Sequence, residues 1–337
     1  MANDRNKMCN TGISNWQIRE VCLSEWDSYW LDCPGHNLLQ SWKYGSAKEQ
    51  SGGWTPKRLV IFNENNIPIA LVQVLTKSLP ILGGIARINR GPLLLSHELD
   101  DNLQLKIDIL KLFMIEARFR RWWVVQIAPE IRDSERARLS LKDLGFRQQL
   151  DPAWASSLMD LSLSSDDLYG KLNRRWKRAL LKASKLGVIV RSSELTDARL
   201  DNVLKSYSTL QKRNKFIGID NKLIKELSKW KSPNSSFNLF VAELVCEGER
   251  NEEVGYRVTV RSGHTVLDFM VSTNEKGRQV EANSALYWHS IIQAKESGCS
   301  WFDVGGLSEA TPKGIADFKK GLNGTPYQLV GEWRKWL

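Results

Sequence analysis

The sequence predicts an α/β protein built from two copies of one unit, with a basic helical segment between them. Three observations carry this. The chain has 337 residues, about twice the usual domain length. An order of strand-like and helical runs in the first half returns in the second. Between them lies a stretch, Lys171 to Arg191, with eight basic side chains and no acidic one.

In the first half, residues 18–30 and 38–50 suit short helices around the turn Asp32-Cys33-Pro34-Gly35. Strand-like runs follow at Arg58–Phe62, Ile67–Thr76 and Ala86–Leu95. Leu103, Ile107, Leu110, Phe113, Met114 and Ala117 then recur at helical spacing. A strand (Trp122–Ile127) and a helix (Asp133–Leu144) complete the copy. The second copy has strand-like runs at Asn238–Val245, Glu253–Arg261 and Thr265–Ser272. A helix over Glu281–Ser297, a strand over Ser300–Val304, a helix over Lys313–Gly321 and a closing strand near Tyr327–Gly331 follow. An offset of about 176 residues superposes the long helices, which argues for duplication. The expected division is a first domain at 1–160 and a second at 161–337, the latter made of a helical basic segment (161–235) and a core (236–337).

Within the basic segment, Leu172, Trp176, Ala179, Leu180 and Ala183 form an apolar stripe, so an amphipathic helix docked by that stripe is expected. Its exposed cations, Arg174, Arg175, Lys177 and Arg178 among them, read either as a solvated face or as a landing site for a polyanion. The whole chain carries 48 Lys plus Arg against 38 Asp plus Glu, a net charge of +10 that attracts anionic partners. The polar first twelve residues hold no secretory signal, and the longest apolar run, Ile67 to Leu75, is too short to span a bilayer. Five widely spaced cysteines fit a reducing compartment, so a cytoplasmic protein is expected.

The phosphate-cradling loop of NTPases, the dinucleotide fingerprint and the serine-hydrolase elbow are all absent, and the four histidines form no metal-binding pair. Neither a metal nor another cofactor is expected. Three strands, a helix, a strand and a helix is the order of acyltransferases of the GNAT class, an analogy at the level of fold. Yet their pyrophosphate loop, Gln/Arg-x-x-Gly-x-Gly/Ala, is missing too. Such a loop binds through backbone amides at a helix start, so its absence points away from CoA as donor.

Four stretches remain: Leu39-Gln40-Ser41-Trp42-Lys43-Tyr44-Gly45-Ser46-Ala47-Lys48 followed by Gly53-Trp54; Lys205 to Phe216 with Tyr207, Thr209, Arg213 and Phe216; Trp301-Phe302-Asp303-Val304-Gly305-Gly306; and Gly314-Ile315-Ala316-Asp317-Phe318-Lys319-Lys320-Gly321-Leu322-Asn323-Gly324. With the basic helix, these ordered motifs make the chain resemble, over roughly residues 20–330, the Fem family of aminoacyl-tRNA-dependent transferases that act on cell-wall precursors. The resemblance implies two tandem GNAT-like (acyl-CoA N-acyltransferase-like) domains and an aminoacyl-tRNA donor. It implies an acceptor linked to UDP or to a lipid diphosphate, and it leaves room for contact with the anionic inner membrane surface. It places Lys319 and Phe318 at the catalytic pair, and Lys48 and Arg213 at the cations that hold the diphosphate. Trp42 and Tyr44 stand in the same substrate-binding motif, and Arg174, Arg175, Lys177 and Arg178 face the tRNA. Asp303 is a candidate base. The alternative is an acyl-CoA-dependent N-acyltransferase acting on a nucleotide-linked amino sugar or polysaccharide precursor. The sequence departs from the family in Gly321-Leu322-Asn323-Gly324, where the family has an aromatic before Gly, in Arg213-Asn214-Lys215-Phe216, where the family has an acid after Arg, and in having no long coiled-coil arm after Phe216.

Overall fold

The computed structural model describes residues 15–79, 83–96, 102–214, 218–229, 235–246 and 251–337. The chain divides into two compact units, Met1–Trp154 with Gln328–Leu337, and Ala155–Tyr327. The first runs β1 (Gln17–Glu20), α1 (Leu23–Asp32), a 3-10 turn (Leu38–Gln40), α2 (Trp42–Gly52), β2 (Thr55–Phe62), β3 (Pro68–Leu79), β4 (Gly83–Asn89), β5 (Leu93–Leu94), α3 (Leu103–Phe119), β6 (Trp122–Ala128), α4 (Glu135–Asp143) and β7 (Arg147–Gln148). The second holds β8 (Ala155–Asp160), α5 (Ser165–Lys171), α6 (Arg174–Lys185), β9 (Val188–Ser193), α7 (Asp197–Asn214), α8 (Asn221–Ser228), β10 (Ser235–Leu244), β11 (Glu252–Ser262), β12 (Thr265–Thr273), α9 (Glu275–Gln279), α10 (Ala282–Glu296), β13 (Trp301–Asp303), α11 (Lys313–Lys320) and β14 (Thr325–Gln328). The chain then returns to the first unit as β15 (Trp333–Trp336).

The first sheet has the order β1-β2-β3-β4-β6-β15-β7, with β5 beside β3, and the second β14-β8-β13-β12-β11-β10-β9. In each, three antiparallel strands lead to one parallel pair, β4 with β6 and β12 with β13. Beyond that pair the two sheets have exchanged a strand. β15 lies between β6 and β7, and β8 lies between β13 and β14. The expected boundary is therefore corrected: β8 starts the second unit at residue 155, and the final residues belong to the first.

Local chemistry sets the ends of elements. Ser41 caps α2 by accepting from Tyr44 N at 3.2 Å, and Gly53 ends it in the left-handed region (φ 61). The predicted stripe of α3 is buried on β4 and β6 with Val125 and Ile127, and Trp26 and Trp30 of α1 cover Val60, Phe62 and Leu71 on the other face. In the second unit, α10 buries Leu286 against Phe240 and Val254 on one face of the sheet, while α7 and α8 bury Val203, Leu204 and Ile224 on the other.

Two further expectations change. The helix foreseen from residue 18 begins at Leu23, because Gln17–Glu20 pairs as an edge strand with Leu59–Phe62. The stretch 161–235 is not helical throughout, because Val188–Ser193 pairs with Leu239–Leu244 as an outer strand.

Candidate active site

The centre of the site is the point where β12 and β13 stop pairing. Their parallel register covers only Thr265–Trp301, Val266–Phe302 and Leu267–Asp303. Beyond it, β12 continues into Asp268, while the other strand turns away through Val304, Gly305 and Gly306. Both glycines are left-handed, with φ 61 and 48. A Cβ on Gly305 would stand 3.0 Å from the Asp268 carbonyl oxygen, so backbone and strand approach as closely here as glycine allows.

Lys319, in the last turn of α11, reaches into this gap. Its Nζ donates to the carbonyl oxygens of Val304 at 2.6 Å and Gly305 at 2.8 Å, and lies 3.2 Å from Asp268 Oδ2. The other oxygen of Asp268 accepts from Arg257 Nη1. Arg257 is fully buried, donates from Nη2 to Asn283 Oδ1 at 2.7 Å, and stacks 3.8 Å from the centre of the Tyr287 ring. Burial alone would raise the Asp268 carboxyl, but the charges of Arg257 and Lys319 outweigh it and hold the group below the usual carboxylate range. Tyr287 is pushed well above the usual phenol range by burial and by the neighbouring Asp268 charge, so it stays a neutral donor to Val304 O at 3.2 Å.

Phe318 stacks on Trp176 of α6, with ring centres 4.4 Å apart, and its carbonyl accepts from Trp176 Nε1 at 2.6 Å. Asn173 N donates to Gly321 O at 3.0 Å. The predicted apolar stripe thus docks α6 on α11, with Trp176 and Ala183 buried and Arg174, Arg175 and Arg178 exposed. Lys177 is part-buried and donates to Gly170 O at 2.7 Å. Asp317, one turn from this face, is held below its usual range by its hydrogen bond to Lys313, with the charges of Lys320 and Arg175 adding to it.

Asp303, read as a candidate base, has a different place. It is buried, and its Oδ1 accepts from Ser156 and from Gly305 N at 2.9 Å, while Oδ2 accepts from Tyr327 at 2.6 Å. A carboxylate with both oxygens engaged in this way anchors the turn that carries Gly305.

The α2 residues are described with the first unit. Lys48 is half-buried. Trp42 carries the Arg58 guanidinium 3.7 Å above its ring, and burial draws Arg58 down to about 10. Tyr44 is raised by burial, with Arg87 pulling the other way, and burial lowers Lys43 to about 8. Arg213 falls in the last turn of α7, but its side chain and Phe216 lie outside the described residues. The structure therefore brings Lys319, Phe318, Asp303 and the basic helix together within the second unit. It adds Asp268, Arg257, Asn283 and Tyr287, which the sequence reading missed. Their signal was an aspartate and an arginine in adjacent, otherwise apolar strand-like runs. Among the described residues no group of three or more His, Cys, Asp or Glu could hold a metal.

Residues 170–320 match the family described as the acetyltransferase (GNAT) domain. Among solved structures, FemX shares 16% identity with a TM-score of 0.78, covering 95% of this chain and 97% of that one. The chain has a Fem-like fold with a GNAT-type domain match in its second unit. L-PGS from Bacillus licheniformis (11% identity, TM-score 0.55, 94% and 92% covered) and a tandem GNAT protein from the clavulanic acid biosynthesis pathway (11%, 0.51, 95% and 98%) share the tandem arrangement more loosely. A search among curated proteins finds no match.

The CoA of GNAT enzymes needs free amides where the third antiparallel strand meets the long helix. Here that connection is α9, and the amides of Gly277, Arg278, Val280 and Glu281 are turned back onto Asn274, Lys276 and Arg278. Two carboxylates, Glu275 and Glu281, flank it. Both carboxylates set negative charge beside the start of α10.

Proposed function

We propose that the protein is an aminoacyltransferase: it moves an amino acid from an aminoacyl-tRNA to an amine of a nucleotide- or lipid-diphosphate-linked cell-envelope precursor, of the kind used for peptidoglycan. The observation that carries this reading is the Lys319 ammonium, held by Val304 O, Gly305 O and Asp268 at the end of a parallel strand pair. FemX, whose fold the chain shares, and the basic α6 docked beside Phe318 support it.

When a neutral amine attacks the ester carbonyl, a C–N bond forms and negative charge gathers on the carbonyl oxygen. Collapse breaks the C–O bond, and the ribose oxygen leaves with a proton that began on the amine. A fixed cation facing that oxygen stabilises the transition state by about 3 kcal/mol. Of the three Lys319 contacts, that with Asp268 is the longest, and Asp268 keeps Arg257 when Lys319 turns away. One N–H can therefore move to the oxyanion without leaving a buried carboxylate unpaired. In this reading Phe318 and Trp176 wall the acyl group, and Asp303 positions the Gly305 turn. Arg174, Arg175, Lys177 and Arg178 meet tRNA phosphates, and Lys48, in one motif with Trp42 and Tyr44, and Arg213 are each a cation offered to acceptor phosphate. Two cations are what a diphosphate requires, Arg binding in two-pronged fashion and Lys as a point charge.

The test is transfer of a labelled amino acid from charged tRNA to diphosphate-linked acceptors by the purified protein. Transfer that disappears when the donor is digested with RNase supports the reading. Equal transfer from acyl-CoA, or indifference to RNase, overturns it.

A further inference from the structure

At the end of α3 the chain reads Arg118-Phe119-Arg120-Arg121-Trp122-Trp123. Trp122 is buried against Phe113, with ring centres 5.7 Å apart, but its neighbours turn outward. Phe119 is 75% exposed and Trp123 50%. The irregularity between Gly84 and Ile85 explains Trp123: the register skips from Trp122 to Val124, so Trp123 is left out of the pairing. The last strand brings a third ring to the same end. Trp336, 70% exposed, pairs across from Val124, and Leu337 N donates to Trp123 O at 2.9 Å.

Cations are interleaved with these rings. Arg118 and Arg121 are exposed, and Lys335 lies close enough to Arg118 for the two charges to repel. The nearby carboxylates are engaged elsewhere: Glu116 and Glu20 face Arg120 at 2.6 and 3.6 Å. Large exposed aromatic rings gathered at one end of a sheet are unusual on a protein surface. Tryptophan beside arginine and lysine suits the lipid–water boundary, where the ring sits at headgroup depth and the cations meet anionic headgroups. No helix among the described residues is long and apolar enough to cross a membrane, so the contact lies on the surface.

We infer that this end of the first unit, with Phe119, Trp123, Trp336, Arg118 and Arg121 at its centre, docks on an anionic lipid surface. The inference rests on the reading of a diphosphate-linked acceptor and selects its lipid-carried form, which is presented at such a surface.

The test is co-sedimentation of the full chain with vesicles of phosphatidylcholine alone and with about a third phosphatidylglycerol. Binding to the anionic vesicles should exceed binding to the neutral ones at least about tenfold and weaken as salt rises. The Arg118→Glu/Arg121→Glu and Trp123→Ser/Trp336→Ser variants should each lose about tenfold in partition while keeping the wild-type melting temperature and transfer to a water-soluble acceptor. Equal binding to both vesicles, no binding, or unaltered binding by both variants overturns the inference. So does self-association of the wild type that the Trp variant abolishes, which would assign the patch to a second copy. Vesicle binding is read without catalysis, so a docking protein with no transfer activity would sink the proposed function alone, and a transferase that ignores vesicles would sink this inference alone.

Discussion

The two parallel strand pairs of this molecule end differently. In the first unit β4 and β6 stay paired from Gly84–Trp122 to Asn89–Ala128. The backbone then continues the seam, Arg90 N to Ala128 O at 2.6 Å and Glu130 N to Gly91 O at 3.3 Å. Arg90 and Glu130 close it with a two-pronged ion pair at 2.7 and 2.9 Å. In the second unit β12 and β13 pair over three positions and the gap beyond is filled by the Lys319 side chain. A seam sealed by main chain offers nothing to a reacting carbonyl, whereas a side-chain ammonium can be redirected. The same strand order thus occurs twice, and the second copy places a side-chain ammonium at the seam, the group that the proposed function assigns to the oxyanion.

Several changes would break or sharpen this contrast. The largest effect is expected from Asp268→Ala, which strands the buried Arg257 and costs about 3–5 kcal/mol in urea-unfolding stability. Glu130→Ala should cost less, since its partner pair is partly solvated. If the two losses were equal, the second seam would be no more dependent on its charges than the first. Lys319→Met comes next. Transfer should fall by about 10²–10³-fold with the fold retained, measured as kcat/KM beside a circular dichroism melt, and an unimpaired rate would remove Lys319 from the chemistry. Gly305→Ala is smaller, about 1–2 kcal/mol, because a Cβ strains the left-handed backbone and crowds the Asp268 carbonyl.

The smallest effect concerns a buried amine of the first unit, Lys43. Burial lowers it to about 8 in the folded chain, against an unfolded value near 10.4. Between those values the unfolded chain holds the proton and the folded chain has released it, so stability should rise as pH goes from about 8 to 10. Urea midpoints across that range should show the slope in the wild type and lose most of it in Lys43→Met. A slope unchanged by the substitution would place its origin elsewhere.

Much of the fold was legible. Helical spacing in 103–117 and β-type runs at 253–261 and 265–272 yielded α3, β11 and β12 within a few residues, because apolar periodicity is a local property. The run read as one strand, Ala86–Leu95, is β4 and β5 separated at Arg90-Gly91-Pro92, where Arg90 takes φ 53. The closing strand expected near 327–331 is β14, two residues earlier, and a further strand, β15, follows in the other sheet. Short strands such as β7 and β8 escaped notice because little in a few residues marks them as paired.

The sequence by itself determined the duplicated α/β order, the amphipathic basic helix and the position of Phe318-Lys319 on a short helix, all consequences of local spacing and turn chemistry. Only the tertiary structure decided which repeat each exchanged strand completes, where β12 and β13 part, and that Arg257 and Asp268 meet beneath Lys319. Register and strand partnership depend on residues far apart in the chain, and a buried charge is stable only beside the partner that register supplies.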